Sequence, residues 1–202
     1  MIYDFFLARR PHNGKTYETY FEEIKRKVED EKSANNIEAK DSHSDQIKLN
    51  FQRLRRITKA YTVDSELLSI IQRIKEPQLW MVLTEDWCGD SSQILPYLAT
   101  MAAGSPLIDF RILLRDENLD IMDLYLTNLK SRSIPKLVTF DNNGNELFQW
   151  GPRPIEAEIL VNKLKEEGML KDEFMKKLHL WYAQNSGKAI EDEFKNILGK
   201  LI

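Results

Sequence analysis

The sequence contains 202 residues, of which 42% are hydrophobic and 30% are charged, and its formal net charge is −3. This composition predicts a packed core with a soluble surface, and it gives no electrostatic reason to expect binding to nucleic acid or to an anionic membrane. Cys88 is the only cysteine, which excludes an intrachain disulfide and a multi-cysteine metal site. No segment approaches the ~20 apolar residues of a membrane-spanning helix, and the N-terminus lacks the order of a signal peptide. We therefore expect a cytoplasmic protein whose thiol stays reduced.

The N-terminal third predicts three amphipathic helices. In segment 15–32 the apolar residues recur at helical spacing and form one stripe. After a polar break over 33–45, a second helix runs through Phe51 and Ile57, and a third runs through Leu67 and Ile74 and ends before Pro77. The second helix carries a basic cluster that is more typical of a solvated face than of a phosphate site: Arg53, Arg55, Arg56 and Lys59.

After residue 77 the period of the apolar residues changes. The run "QLWMVLT" (78–84) is short and continuous, as in a strand that is buried on both faces. A pair able to form a tight turn, Asn143-Gly144, lies between two apolar runs and predicts a hairpin. The elements predicted after the first strand are a helix to about residue 103, a strand over 107–115, a helix over 118–129, the hairpin over 135–151 and a helix over 154–168. Two amphipathic helices that separate near residues 185–187 complete the chain. The order β-α-β-α-β-β-α predicts a mixed sheet with helices on both sides.

The residue types of other common active sites are present, but not at the spacing that those sites need. His12, His43 and His179 lie far apart in the sequence and have no metal-ligand spacing. Nothing in the pattern brings one of them to Cys88 to form a nucleophilic pair. The sequence also contains no glycine-rich phosphate-binding loop. We therefore expect neither a metal nor a cofactor.

Three motifs in the middle of the chain resemble the thioredoxin family. "WCGDSSQILP" (87–96) is similar to the family pattern W-C-G followed by six residues and a proline, here Pro96. "RSIPKLVTF" (132–140) resembles the segment that carries the family's cis-proline, here Pro135, and the hairpin is followed by Gly151 near the expected site. The resemblance covers roughly residues 78–167. It implies a thioredoxin-like α/β fold, divided into an N-terminal helical extension (1–76), a thioredoxin-like domain (77–168) and a C-terminal helical tail (169–202).

The resemblance also implies which residues form the site. The catalytic positions are Cys88, Ser91 and Pro135, and the substrate-binding positions are Trp87, Gly89, Ile134, Gly151 and Arg153. The segments "EDWCGDS" and "WGPRP" are similar to a group of bacterial thioredoxin-like proteins with a helical N-terminal extension. We expect Trp87 either to shape this surface or simply to pack, and we expect Trp150 to belong to the core.

Two parts of the family's reductase chemistry are missing. A dithiol reductase needs a second cysteine to resolve the mixed disulfide, and Ser91 stands where that cysteine would be. The family's buried aspartate, six residues before the first cysteine, is replaced by Val82. A helix N-terminus lowers the pKa of a thiol at Cys88, whereas three flanking acids oppose ionisation: Glu85, Asp86 and Asp90. The resemblance places three basic residues on loops near Cys88: Arg132, Lys136 and Arg153.

Two hypotheses therefore remain open. In the first, which we favour slightly, the protein is a monothiol oxidoreductase in which Cys88 forms mixed disulfides with a protein or a small-molecule thiol. In the second, it is a non-catalytic module that binds a peptide or protein partner in the same groove. The sequence leaves the oligomeric state open.

Overall fold

The computed structural model describes residues 2–33 and 43–201, so most of the predicted polar break lies outside the described residues. Within them the chain forms nine helices and four strands, separated by loops and one 3₁₀ turn at Arg115–Glu117. The helices are α1 (Asp4–Leu7), α2 (Tyr17–Ser33), α3 (Ser44–Ala60), α4 (Ser65–Ile71), α5 (Gly89–Ala102), α6 (Leu119–Met122), α7 (Ile155–Glu166), α8 (Lys171–Asn185) and α9 (Lys188–Leu201). The strands are β1 (Gln78–Thr84), β2 (Ile108–Leu114), β3 (Lys136–Asp141) and β4 (Glu146–Trp150).

The four strands form one mixed sheet in the order β2-β1-β3-β4. β1 runs parallel to β2 and antiparallel to β3, and β3 and β4 form the predicted hairpin. The mixed sheet with flanking helices, predicted from the order of the elements, is confirmed. Since β1 lies in the middle of the sheet, the residues that follow it emerge at the sheet's centre, where the Cys88 segment begins.

Alternate residues of β1 face two hydrophobic clusters on opposite sides of the sheet. Trp80 and Val82 contribute to the larger cluster, which contains apolar residues from α2, α3, α4, α5, α8 and α9. Met81 and Leu83 contribute to the smaller cluster, in which Phe5 and Phe6 pack from the N-terminus. Both sides of β1 are therefore covered, which explains its continuous apolar run.

The predicted helix over 118–129 is wrong beyond its first turn. Only α6 is helical, and the chain then turns through Asn128 and Leu129, whose φ angles are 52° and 57°. L-residues cannot extend a right-handed helix at positive φ. Ile121 and Tyr125 supply the apolar pattern and are buried, but Leu129 is 90% exposed. The apolar spacing thus reflects one buried turn followed by a loop.

The C-terminal helices separate at Ser186 and Gly187, as predicted, and both residues have positive φ. The ring of Phe194 on α9 lies 5.7 Å from that of Trp80 and 5.6 Å from that of Trp150. Trp150 is buried, which agrees with its expected place in the core. Because these helices share one cluster with the sheet and with α2–α4, the three-way division of the chain stays a prediction. None of the helices in the described ranges is long and apolar enough to cross a membrane.

Candidate functional site

Cys88 is the residue that caps the N-terminus of α5. Its backbone is extended, with φ −75° and ψ 118°, and its Sγ accepts a hydrogen bond from the Ser91 amide at 3.5 Å. The thiol in turn donates to the carbonyl oxygen of Ile134 at 3.4 Å. The residue is only 8% exposed. The side chain is therefore held from two sides and has little contact with solvent.

The surroundings of Cys88 favour the thiol over the thiolate. Burial and, secondly, the negative charge of Asp90 raise the pKa of Cys88 from 9.0 to about 11. Hydrogen bonds from Ser91 act in the opposite direction but do not compensate. The lowering that a helix N-terminus normally gives is thus outweighed by desolvation. Of the three flanking acids, Asp90 opposes ionisation as expected, and the dominant effect is burial.

Ser91 occupies the place of a second cysteine, one turn into α5. Its side chain is buried, and its hydroxyl accepts a hydrogen bond from the Thr84 hydroxyl at 2.7 Å. This bond connects the last residue of β1 to the first turn of α5. Ser91 therefore has an internal partner rather than an open hydroxyl aimed at a ligand.

Pro135 lies beside Cys88, on the loop that leads into β3. The Ile134–Pro135 peptide bond is cis, and so is Gly151–Pro152, which the sequence analysis did not anticipate. Gly151 has a φ of 107°, and a Cβ atom placed on it would lie 2.4 Å from the carbonyl oxygen of Pro135. Only glycine fits this close backbone approach. The structure thus brings Gly151, Pro135, Ile134 and Cys88 into one place.

Arg153 does not remain free to neutralise a ligand's charge. Its guanidinium lies 2.6 Å from Asp90 and 2.7 Å from Glu158. The other carboxylate oxygen of Asp90 accepts a hydrogen bond from the Tyr182 hydroxyl at 2.6 Å. Asp90 is 6% exposed, and paired hydrogen bonds of this kind are what a buried carboxylate requires. The sequence analysis missed the role of Tyr182, although a buried tyrosine hydroxyl on an apolar stripe usually needs a partner.

Helix α8 lies directly against the first turn of α5. A Cβ atom on Gly89 would lie 3.1 Å from Cε1 of His179, so the absence of a side chain allows the close contact. Nδ1 of His179 lies 3.3 Å from the Gln93 amide nitrogen, and burial followed by the charge of Arg53 lowers the pKa of His179 to about 4. His179 therefore contacts the helix that Cys88 caps, a contact that the spacing of the histidines did not predict. Gly89 and His179 are ninety positions apart in the sequence, so local spacing could not predict their contact.

Trp87 is half-buried, as is Gly89 two residues later. The guanidinium of Arg115 lies 4.9 Å from its ring centroid, a cation–π distance. The ring of His43 stacks on it with a centroid distance of 5.7 Å. The loop before it is fixed by the N-terminal helices, since Asn50 donates to the Asp86 carbonyl and Lys27 pairs with the Asp86 carboxylate.

The remaining expected neighbours of Cys88 are Glu85, Arg132 and Lys136. Glu85 accepts a hydrogen bond from the backbone amide of Asp116 at 2.8 Å. Arg132 is exposed and pairs with Asp123, and Lys136 is buried in β3, where desolvation lowers its pKa. Within residues 2–33 and 43–201, no group of three or more histidine, cysteine, aspartate or glutamate side chains could hold a metal ion.

A family model described as "Thioredoxin" matches residues 17–165, which is well over half of the chain. This protein belongs to the thioredoxin family. The match begins at the first residue of α2, so it also includes the helices α2, α3 and α4, which precede the motifs of the resemblance over 78–167.

Two solved structures have the same fold. One is a protein of unknown function, PA1234, from Pseudomonas aeruginosa, and the other is an HIV epitope-scaffold. Each has 18% sequence identity and a TM-score of 0.59, with 95% of this chain and 94% of that chain covered. The search of curated proteins found no match. At this identity the likeness shows the thioredoxin-like fold alone.

The Cys88 site has the cysteine, the cis-proline and the glycine of the family's site, but it lacks the second cysteine and the buried aspartate. Val82, at the position of the family's buried aspartate, is completely buried in the larger hydrophobic cluster, so no acid in that place can accept a proton from the thiol. The assignment of Cys88, Ser91 and Pro135 as catalytic residues stays a prediction, as does the assignment of the neighbouring residues to substrate binding.

Proposed function

We propose that this thioredoxin-family protein is a non-catalytic module that binds a peptide or protein partner, and that Cys88 serves packing rather than disulfide exchange. The observation that carries the proposal is the environment of the thiol. It is 8% exposed, it donates a hydrogen bond to Ile134, and its pKa is raised to about 11. The thiolate is the attacking species in exchange reactions, so this environment disfavours the monothiol mechanism.

The surface around Trp87 supports the binding part of the proposal. Trp87 and Arg115 form a half-buried cation–π pair. Exposed Asp116 and Glu117 follow Arg115 in the sequence, and Arg115 donates a hydrogen bond to the carbonyl oxygen of exposed Arg132. Tryptophan and arginine are the residue types enriched at the energetic centres of protein interfaces, where polar side chains surround them. A partner that contacts this pair would use the family's groove edge without needing the thiol.

The monothiol alternative has one observation in its favour. Cys88 caps a 14-residue helix and accepts the Ser91 amide hydrogen bond, the position from which family members attack disulfides. Any opening of the folded protein that exposed this sulfur would remove the desolvation that raises its pKa. The two functions therefore differ in one measurable property, the reactivity of Cys88 in the folded protein.

The deciding experiment is alkylation of Cys88 with iodoacetamide as a function of pH, in the folded protein and in urea. We expect the folded protein at neutral pH to react at least about 100-fold more slowly than the unfolded chain, because a pKa near 11 instead of 9 leaves about one hundredth of the thiolate. A midpoint near or below pH 7 in the folded state would contradict the proposal and favour the monothiol oxidoreductase.

A partner-capture comparison tests the binding surface itself. We expect cross-linked partners to be retained by the wild-type protein and by Cys88→Ser, and to be lost from Trp87→Ala. Trp181→Ala is the matched control, since Trp181 is also a half-buried tryptophan but lies on α8. Partners that are lost from Cys88→Ser and released by a reductant would instead support mixed-disulfide exchange.

A further inference from the structure

A pocket lies apart from the Cys88 site, between the C-terminal half of α3, the middle of α5 and the turn that joins α8 to α9. Its volume is about 560 Å³, which is within the usual range of small-molecule sites. None of the residues that the sequence analysis assigned to the Cys88 site lines it. The pocket is therefore independent of the proposed binding function at Trp87.

Aromatic side chains form the walls of this pocket. Tyr61 and Tyr97 meet edge to face with their ring centroids 4.5 Å apart, and Tyr182 lines the pocket as well. The turn at Ser186 and Gly187 closes one side, because Gly187 has no side chain and lies directly on the Tyr97 ring. Flat apolar walls of this kind suit a planar aromatic group, which packs in stacked or edge-to-face geometry.

The two acidic residues of the pocket have internal partners. One carboxylate oxygen of Glu191 accepts hydrogen bonds from the Tyr61 hydroxyl at 2.7 Å and from the Asp64 amide at 2.9 Å. Asp64 pairs with Lys195 at 2.7 Å and also caps α4. These carboxylates are thus committed to holding α4 and α9 together, and they leave little capacity to bind a cation.

Two donors of the pocket, by contrast, are open. Arg56 lines the pocket with an exposed side chain and forms no hydrogen bond or ion pair with the residues that the structure describes. Tyr97 is 6% exposed, and its hydroxyl likewise has no hydrogen-bond partner within 2–33 and 43–201. Burial raises the pKa of this hydroxyl, the charge of Arg56 opposes that rise, and the charge of Glu191 adds to it. Arg56 and Tyr97 line the same pocket, so one ligand group held between them would meet two open donors.

We propose that this pocket binds a small aromatic carboxylate. A guanidinium fork and a hydroxyl donor match the two oxygens of a carboxylate, while the tyrosine rings receive the aromatic body. One cation balances one negative charge. A phosphate dianion would carry a second charge, which the neighbouring Glu191 would repel.

The test uses the full-length protein and three probes of the same shape: benzoate, benzamide and benzylammonium. Binding is followed by chemical-shift changes of the backbone amides in two-dimensional NMR. We expect benzoate to bind with a millimolar dissociation constant, as befits so small a ligand, and to shift amides of α3, α5 and the α8–α9 turn. Benzamide is expected to bind more weakly, and benzylammonium to bind least.

Three variants identify the groups that bind. Arg56→Gln is expected to weaken benzoate binding by about tenfold or more, the usual effect of losing a hydrogen bond to a charged group. Tyr97→Phe is expected to weaken it severalfold, and it removes no hydrogen bond from the folded protein. Arg55→Gln is the matched control, since Arg55 is a neighbouring exposed arginine of α3 that does not line the pocket.

The proposal is overturned by any of three results. The first is the absence of saturable benzoate binding at millimolar concentrations. The second is benzylammonium binding as tight as that of benzoate, which would assign the pocket to Glu191 and to cations. The third is an equal effect of Arg56→Gln and Arg55→Gln, which would mean that only the general charge of α3 attracts the probe. Because neither Trp87 nor Arg115 lines this pocket, none of these results bears on the proposed binding module.

Discussion

The buried thiol of Cys88 predicts a specific loss of stability at alkaline pH. Its pKa is raised from 9.0 to about 11, and a difference of this size corresponds to about 3 kcal/mol of folding free energy, at about 1.4 kcal/mol per pKa unit. Between these two pH values the unfolded chain has lost the thiol proton while the native protein keeps it. The native state then binds more protons, so the free energy of unfolding falls as the pH rises. The contribution is fully present below pH 9 and is lost as the pH rises through about 11.

The assay is urea-induced unfolding of the wild-type protein and of Cys88→Ala at a series of pH values from about 8 to about 11. Tyrosine and lysine side chains also titrate in this range, but they do so in both proteins, so the difference between the two unfolding free energies isolates Cys88. We expect the wild-type advantage to shrink by about 2–3 kcal/mol across the series. A difference that stays constant with pH would refute the argument that burial keeps the thiol protonated.

Two further predictions concern the groups that hold the site together. Gly151→Ala is expected to destabilise the protein by more than about 2 kcal/mol, because it adds a clash with the Pro135 carbonyl oxygen to an unfavourable positive φ. Gly168→Ala is the control, since Gly168 also has a positive φ but has open space around it. Equal losses of stability in thermal unfolding would contradict the predicted clash. Tyr182→Phe is expected to lower the free energy of unfolding by about 2 kcal/mol, because it removes a buried hydrogen bond to the Asp90 carboxylate. Tyr97→Phe is the control and is expected to be nearly neutral, since the Tyr97 hydroxyl has no partner in the described chain. Similar losses for the two variants in urea unfolding would contradict a stabilising role of the Tyr182–Asp90 hydrogen bond.

The elements that the sequence predicted well are those whose pattern is set by local packing. The continuous apolar run of β1 reflects burial on both faces, and the Asn143-Gly144 pair marks the hairpin because Gly144 adopts a φ of 85°. The helix over 118–129 was wrong for the converse reason. There the apolar residues of one buried turn continue into a loop, and a periodicity argument does not detect the change of φ at Asn128.

The motif residues of the candidate site were predictable from the sequence, but the contacts that a distant helix makes with them were not. The motif around Cys88 and the proximity of Pro135 and Gly151 followed from the family resemblance. The contacts of α8 with the first turn of α5 did not, because Tyr182 and Asp90 are 92 positions apart. The available signal is chemical, because a buried tyrosine hydroxyl and a buried carboxylate each need a hydrogen-bond partner. Pairing such residues can predict contacts that the periodicity of apolar residues does not reveal.

The polar side chains of the segment from Cys88 to Ser91 are all engaged with other parts of the protein. Cys88 donates to Ile134, Asp90 accepts from Tyr182 and pairs with the half-buried Arg153, and Ser91 accepts from the last residue of β1. Attack by Cys88 would break the hydrogen bond that its thiol donates to Ile134, and a buried group left without a partner costs about 1–3 kcal/mol. In a dithiol thioredoxin the same segment must stay open to exchange with substrate. Here it joins β1, the loop before β3 and α8, and this use of the motif as a structural junction supports the proposed binding module over a monothiol enzyme.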